Sequence, residues 1–288
     1  MTTQNKGTAQ NKGTAQNNGT AQSKGTALIT GASSGIGAVY ADRLVRRGYD
    51  LIIVARSRSK LDKLAARLTT ETKRSVEVLP ADLNDKRDLA RVEETLKEDA
   101  SITLLVNNAG IGTFAPLLDS DVNKMDEMIS LNVSALTRLT YAVVPGFVAR
   151  GTGTIVNISS IVAISPETLN GVYGGSKAYV LAFSHSLQHE LAPKGIRVQA
   201  VLPGATATDF WDAGGLPVHN LPSEIVMTTE NLVDAALSGL DQGELVTIPA
   251  LPDIEEWDRF EAARRDMSTR LSRTYPAARY GVKKLAKA

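Results

Sequence analysis

From residue 25 to residue 250, short apolar runs alternate with amphipathic segments, and this alternation limits the fold more than any other feature of the chain. The runs at 27–29, 51–54, 76–79, 102–106, 154–158, 197–202 and 245–248 are close to continuously apolar, with no polar-apolar alternation. That texture belongs to parallel strands buried on both faces. The segments between most of them carry apolar residues three and four apart, as in Ile36, Val39, Tyr40, Leu44 and Val45, which is helical spacing. Strand and helix in turn predict a doubly wound α/β sheet of about seven strands in one domain, a Rossmann fold.

The first strand runs into Thr30-Gly31-Ala32-Ser33-Ser34-Gly35-Ile36-Gly37, and the first helix follows. Glycines let the backbone turn tightly and come close to a pyrophosphate, and the helix start offers unpaired N–H groups at the positive end of its dipole. The spacing is Gly-x-x-x-Gly-x-Gly, and no Gly-Lys-Ser/Thr follows, so a Walker A loop is excluded. The loop predicts a dinucleotide. The second strand ends in Ala55-Arg56-Ser57-Arg58, with no acid between 51 and 61 to hold a ribose 2′-hydroxyl. An arginine there meets a 2′-phosphate through a charge-assisted bond, so NADP(H) is favoured over NAD(H). The plain alternative is that Arg56 and Arg58 are solvated loop charges.

Four further segments carry polar residues at strand ends. Asn107-Asn108-Ala109-Gly110 follows the fourth strand. Asn157-Ile158-Ser159-Ser160 ends the fifth. Tyr173-Gly174-Gly175-Ser176-Lys177 opens a helix. Pro203-Gly204 follows the sixth strand, with Thr206 and Thr208 beyond. Tyr173 and Lys177 are four apart and share a helix face. An ammonium beside a phenol favours the phenolate, so the pair predicts a lowered tyrosine pKa and a proton donor and acceptor near neutral pH. Ser160 lies 13 residues before Tyr173, where its hydroxyl can bond a substrate oxygen.

Together with the glycine loop, this set resembles the short-chain dehydrogenase/reductase family over about residues 25–250. The resemblance implies a catalytic set of Asn132, Ser160, Tyr173 and Lys177. In it, Ser160 is chosen over Ser159 by spacing, Lys177 bonds the nicotinamide ribose, and Asn132 holds a water for proton relay. The cofactor positions it implies are Gly31, Ser33, Ser34, Gly35, Ile36, Gly37, Arg56, Asp82 for the adenine, Leu83, Asn108, Ala109, Gly110, Tyr173, Lys177, Pro203, Gly204, Thr206 and Thr208. It also implies a homodimer or homotetramer, paired through helices at about 119–150 and 173–192.

The expected activity is hydride transfer between NADP(H) and the carbonyl or secondary alcohol of a small, largely apolar substrate. Residues 205–222 are expected to cover the site, and they include Phe210, Trp211, Leu216, Pro217, Val218 and Leu221. No Arg or Lys lies between 198 and 258, which argues against a carboxylate or phosphate clamp. Two rivals are a 3-oxoacyl-thioester reductase and a dinucleotide-sensing regulator without turnover, and the latter has no need of the Tyr173/Lys177 pair.

Composition removes other classes. With 32 Lys+Arg against 31 Asp+Glu, the net charge of +1 gives no chain-wide field for nucleic acid. No run of apolar residues is long enough to span a membrane. The absence of cysteine excludes thiol nucleophiles, disulfides and thiolate metal sites, and fits a reducing, cytoplasmic setting. No metal site is expected, since His185 and His189 sit four apart without a third ligand. Residues 1–24 repeat a polar hexapeptide from Gln4, Gln10, Gln16 and Gln22 and predict a disordered tail. Past 250, Ile254, Trp257, Phe260, Ala263, Met267 and Leu271 predict one more amphipathic helix in an extension over 251–288, ending in a solvated stretch with Lys283, Lys284 and Lys287.

Overall fold

Every predicted strand forms, and each pairs in parallel with its neighbours, as buried strands crossed by helices must. In this computed structural model Met1 and residues 23–282 are described. The repeat at 2–22 and the lysines at 283–287 therefore lie outside the described residues. The strands are β1 (Thr26–Thr30), β2 (Asp50–Ala55), β3 (Val76–Pro80), β4 (Ile102–Asn107), β5 (Gly153–Ile158), β6 (Ile196–Val201) and β7 (Val246–Thr247). They form a seven-stranded sheet in the order β3-β2-β1-β4-β5-β6-β7. The order reverses between β1 and β4, and ligands of such sheets bind in the crevice beyond the strand ends there.

Successive side chains of each strand face opposite layers. Ala27, Ile29, Ile53 and Val106 bury against α1 (Gly35–Arg46), α2 (Arg58–Thr72) and α8 (Thr229–Gln242). Leu28, Ile52, Leu105 and Ile155 bury against α3 (Lys86–Glu98), α5 (Leu136–Arg150) and α6 (Gly171–Leu191). The sheet is thus apolar on both faces, which accounts for the continuous runs in the sequence.

The predicted helix over 119–150 is more divided than its pattern suggests. It begins as α4 (Val122–Ile129), widens into a π-helical turn over Ser130–Ala135, and resumes as α5. The region expected to be a loop over the site contains a short helix, α7 (Phe210–Gly214). The last predicted helix is α9 (Ile254–Ser268). It buries Trp257 beside Leu181, Ala200, Leu202 and Val246, while Phe260, Met267 and Leu271 along the same stripe stay exposed. No helix among the described residues is long and apolar enough to cross a membrane.

Candidate active site

The polar strand ends converge where the order of the sheet reverses. Thr30, buried at the end of β1, receives the backbone N–H groups of Asn108 and Ala109 on its hydroxyl, both at 3.0 Å. Asn108 in turn donates through Nδ2 to the carbonyls of Thr30 (2.9 Å) and Gly31 (3.2 Å). These bonds fix the Asn107–Gly110 segment against the glycine loop.

The loop itself is a cradle that a side chain would fill. A Cβ on Gly37 would lie 2.4 Å from the Gly31 carbonyl oxygen and 2.5 Å from Asn108 Nδ2. Gly31 has φ +67°, a conformation that L side chains rarely adopt. Ser34, at the N-terminus of α1, makes no side-chain cap, so the first N–H groups of the helix keep their capacity for an anion. Thr208 reaches the same loop from beyond β6, with its methyl 3.1 Å from where a Gly35 Cβ would be. Thr206 is buried, and its hydroxyl is turned to the Gly204 carbonyl (3.1 Å). Arg56 is exposed at the end of β2, the strand beside β1. Asp82, past the end of β3, accepts the N–H of Asn84 at 3.0 Å, and Leu83 beside it is buried. The loop, the helix start and the neighbouring cation therefore suit a pyrophosphate and a further phosphate.

The residues expected to be catalytic gather one strand over. Ser159 and Ser160, adjacent in sequence, point to different tasks. Ser159 Oγ donates to the Lys177 carbonyl at 2.8 Å, which ties β5 to α6. Ser160 stands near enough to the Tyr173 hydroxyl for its own hydroxyl to favour the phenolate. It also accepts from Val162 N (3.3 Å) and donates to the Pro203 carbonyl (3.4 Å). Tyr173 and Lys177 are both buried, with the ammonium 5.8 Å from the centre of the phenol ring. Lys177 Nζ donates to the Ile158 carbonyl at 3.0 Å.

The lowered tyrosine pKa expected from the sequence is corrected here. Burial pushes the Tyr173 phenol up, to about 12, and the nearby Ser160 hydroxyl only partly opposes it. The same burial brings the Lys177 ammonium down to about 8. Desolvation disfavours both charged forms and outweighs the proximity on which the expectation rested.

Asn132 lies in the π-helical turn and is buried. Its Nδ2 donates to the Ile111 carbonyl (2.9 Å) and to Ser176 Oγ (3.1 Å), while Oδ1 accepts the Ile111 N–H at 3.0 Å. The carboxamide thus holds the loop after β4 against the tyrosine helix.

Three contributors were not found in the sequence. Asn170 caps α6, accepting from Val172 N (2.9 Å) and Tyr173 N (3.4 Å), and donates to the Ala115 carbonyl (2.7 Å) and Ser120 Oγ (3.2 Å). An asparagine just before a helix is a recognisable capping signal. Gly112 and Phe114 face α7, and no local pattern marks them. The Phe210 ring lies 5.6 Å from the Tyr173 ring and 6.1 Å from Phe114. Met125, Met128 and Val162 complete an apolar surround for the phenol.

His185 is turned toward α9, with its ring against Trp257 and Nε2 3.7 Å from Glu261. Among the described residues, no three His, Cys, Asp or Glu side chains converge as a metal site.

A family model described as short chain dehydrogenase matches residues 25–214. A short-chain dehydrogenase from Sphingobium yanoikuyae, solved in complex with NADPH, is 50% identical over 89% of this chain and 99% of that one, with a TM-score of 0.87. A bulky-bulky ketone specific alcohol dehydrogenase from Comamonas testosteroni is 46% identical over 90% of this chain and 99% of its own, with a TM-score of 0.83. Among curated proteins, a very-long-chain 3-oxoacyl-CoA reductase from Anas platyrhynchos is 37% identical over 184 residues, 62% of this chain. The chain spans 59% of the length of that relative.

Proposed function

The chain belongs to the short-chain dehydrogenase family, and from that premise we propose that it is an NADP(H)-dependent oxidoreductase acting on the carbonyl or secondary alcohol of an apolar substrate. The observation that carries the reading is the buried group of Ser160, Tyr173 and Lys177, with the ammonium 5.8 Å from the phenol ring, beside the segment that closes on the glycine cradle. The two similar structures, one holding NADPH and one named for bulky ketones, support the cofactor and the substrate class.

The residues that hold the cofactor are the 31–37 loop with the α1 N-terminus for the pyrophosphate, Arg56 for the 2′-phosphate, and Asp82 with Leu83 for the adenine. Asn108, Ala109, Gly110, Lys177, Pro203, Gly204, Thr206 and Thr208 serve the nicotinamide half. Bound NADPH supplies a hydride to the carbonyl carbon. Ser160 Oγ donates to the substrate oxygen and holds it beside the phenol. Tyr173 gives that oxygen its proton in reduction and takes it back in oxidation. A phenol held neutral by burial is a proton donor across the neutral range, which suits reduction. Lys177, still protonated at pH 7, stabilises the phenolate left behind. Asn132 keeps Ile111 and Ser176 in place around this pair, and its proposed water serves to return a proton to Lys177. Met125, Met128, Val162 and Phe210 keep water from the phenol. The oligomer of this reading is a homodimer or homotetramer through α5 and α6, supported by Tyr141, which is 70% exposed on α5.

The test is a carbonyl and alcohol panel followed by NADPH absorbance, with Tyr173→Phe alongside. Wild-type turnover in the variant would overturn the proton role of Tyr173. A second reading, reduction of a 3-oxoacyl thioester, is favoured by the name of the duck relative. The lack of Lys or Arg between 198 and 258, where a carrier's phosphates need partners, favours the first.

A further inference from the structure

Two aromatic rings each rest on a glycine of the opposite segment across the mouth of the site. A Cβ on Gly112 would lie 2.4 Å from Phe210 Cζ, and one on Gly214 would lie 2.4 Å from Phe114 Cε2. The loop after β4 and helix α7 are thus clasped by two reciprocal ring-on-glycine contacts, joined by a hydrogen bond from Phe114 N to the Gly214 carbonyl (3.4 Å).

The two halves of the clasp are not equivalent. Phe114 stacks face to face on Trp211, with ring centres 4.9 Å apart and planes within 2°. Trp211 is buried, and its Nε1 donates to the Thr206 carbonyl at 2.7 Å. That half is anchored to the backbone. Phe210 is half-buried, has no polar tether, and its ring rests against both Gly112 and the Tyr173 ring. A substrate carbonyl must reach the Tyr173 hydroxyl, yet Tyr173 is only 7% exposed and Phe210 is the lid residue in contact with its ring.

The geometry points to Phe210 as a place-holder: its phenyl ring fills the subsite for the larger substituent of the substrate, and it leaves when a planar ring or an apolar group of like size takes its place beside Gly112 and Tyr173. This rests on the carbonyl reading above and deepens it. The ligand class is a ketone or carbinol carrying a ring. The Phe114–Trp211–Gly214 half stays closed and serves as the fixed wall. In the resting protein Phe210 keeps this apolar surface out of water, and an entering ring replaces the same contacts.

The test compares 4-phenyl-2-butanone with 2-butanone as substrates for the wild type and Phe210→Ala. In the variant the ratio of KM for the ring-bearing ketone to KM for the small one should fall at least fivefold. An unchanged ratio would overturn the proposal. So would a raised one, which would make Phe210 a wall that grips the substrate.

A second arm does not need turnover. In a Trp257→Phe background, Trp211 is the only tryptophan left of two, and it reports binding of N-benzylacetamide, whose amide carbonyl is not reduced. Phe210→Ala should tighten that Kd at least fivefold, and an equal or weaker Kd refutes the place-holder. If the wild type oxidises NADPH with no ketone, the carbonyl reading fails, while this arm still decides the subsite.

Discussion

Ser159 Oγ donates to the carbonyl of Lys177, and the ammonium of the same lysine donates back to the strand one residue earlier, at Ile158. Strand β5 and helix α6 therefore hold each other in both directions, with a buried cation inside the joint. Burial brings Lys177 from 10.5 to about 8, which corresponds to about 3 kcal/mol against the charged form. Below pH 8 both folded and unfolded chains carry the proton, and the whole penalty falls on the fold. Between pH 8 and 10.5 only the unfolded chain keeps it, so the penalty shrinks as pH rises. Lys177→Met should then be more stable than wild type at pH 7, by about 2 kcal/mol after the lost bond to Ile158, and should show no advantage above about pH 10.5. Thermal unfolding at pH 7 and pH 10.5 checks this, and reductase turnover should be lost in the same variant.

Tyr173→Phe removes the transferable proton and leaves the ring against Phe210. Its kcat should fall by about 10²–10⁴, the usual worth of a positioned general acid. Ser160→Ala should lose less, because the phenol remains. Steady-state NADPH oxidation with one ketone gives both numbers, and a larger loss for Ser160→Ala would reverse the roles assigned to the pair.

In the proposed reading Arg56 is the residue that tells the two cofactors apart. Its side chain is exposed at the end of β2, and a charge-assisted bond to a phosphate contributes about 1.5–3 kcal/mol. Arg56→Ala should raise KM for NADPH by roughly 10–100-fold and leave KM for NADH within about twofold. Equal changes for both cofactors would remove the 2′-phosphate contact from the proposal.

Asn170 joins the tyrosine helix to the loop that walls the substrate. Asn170→Asp keeps the acceptor that caps Val172 and Tyr173 and adds a charge favoured at a helix start, but it turns a carboxylate toward the Ala115 carbonyl. Its melting temperature should stay near wild type while KM for a large ketone rises several-fold and kcat holds. Asn170→Ala should lose about 1 kcal/mol of stability and fall in kcat as well. If the two variants behave alike in KM and kcat, the loop tie has no separate role.

The architecture was legible because buried parallel strands write themselves as apolar runs. The runs at 51–54 and 102–106 map onto β2 and β4 within a residue or two. Ser160 was separable from Ser159 only through the spacing to Tyr173 that the family resemblance implies, and the two hydroxyls have different partners, Lys177 for Ser159 and Val162 with Pro203 for Ser160. The tyrosine pKa was not legible, because spacing shows which groups are close and not how much water each has lost. Gly112 and Phe114 were hidden for a related reason. Their importance lies in a contact with α7 about 100 residues away, which no local periodicity encodes. The π-helical turn was missed because one extra residue hardly disturbs the apolar pattern on either side.

That turn has a consequence for how the site can change. Asn132 faces Ile111 because the helix from Val122 to Arg150 holds one residue more than regular winding accommodates. Removing any single residue from 130–135 would let the winding close into an uninterrupted α-helix and improve its backbone bonding. The same deletion would take away the wide turn in which Asn132 sits, so its carboxamide would no longer meet Ile111 and Ser176 even though the flanking helices keep their faces. The site is thus open to substitution at this point but closed to deletion, and a shortened chain would exchange a working carboxamide for a better helix.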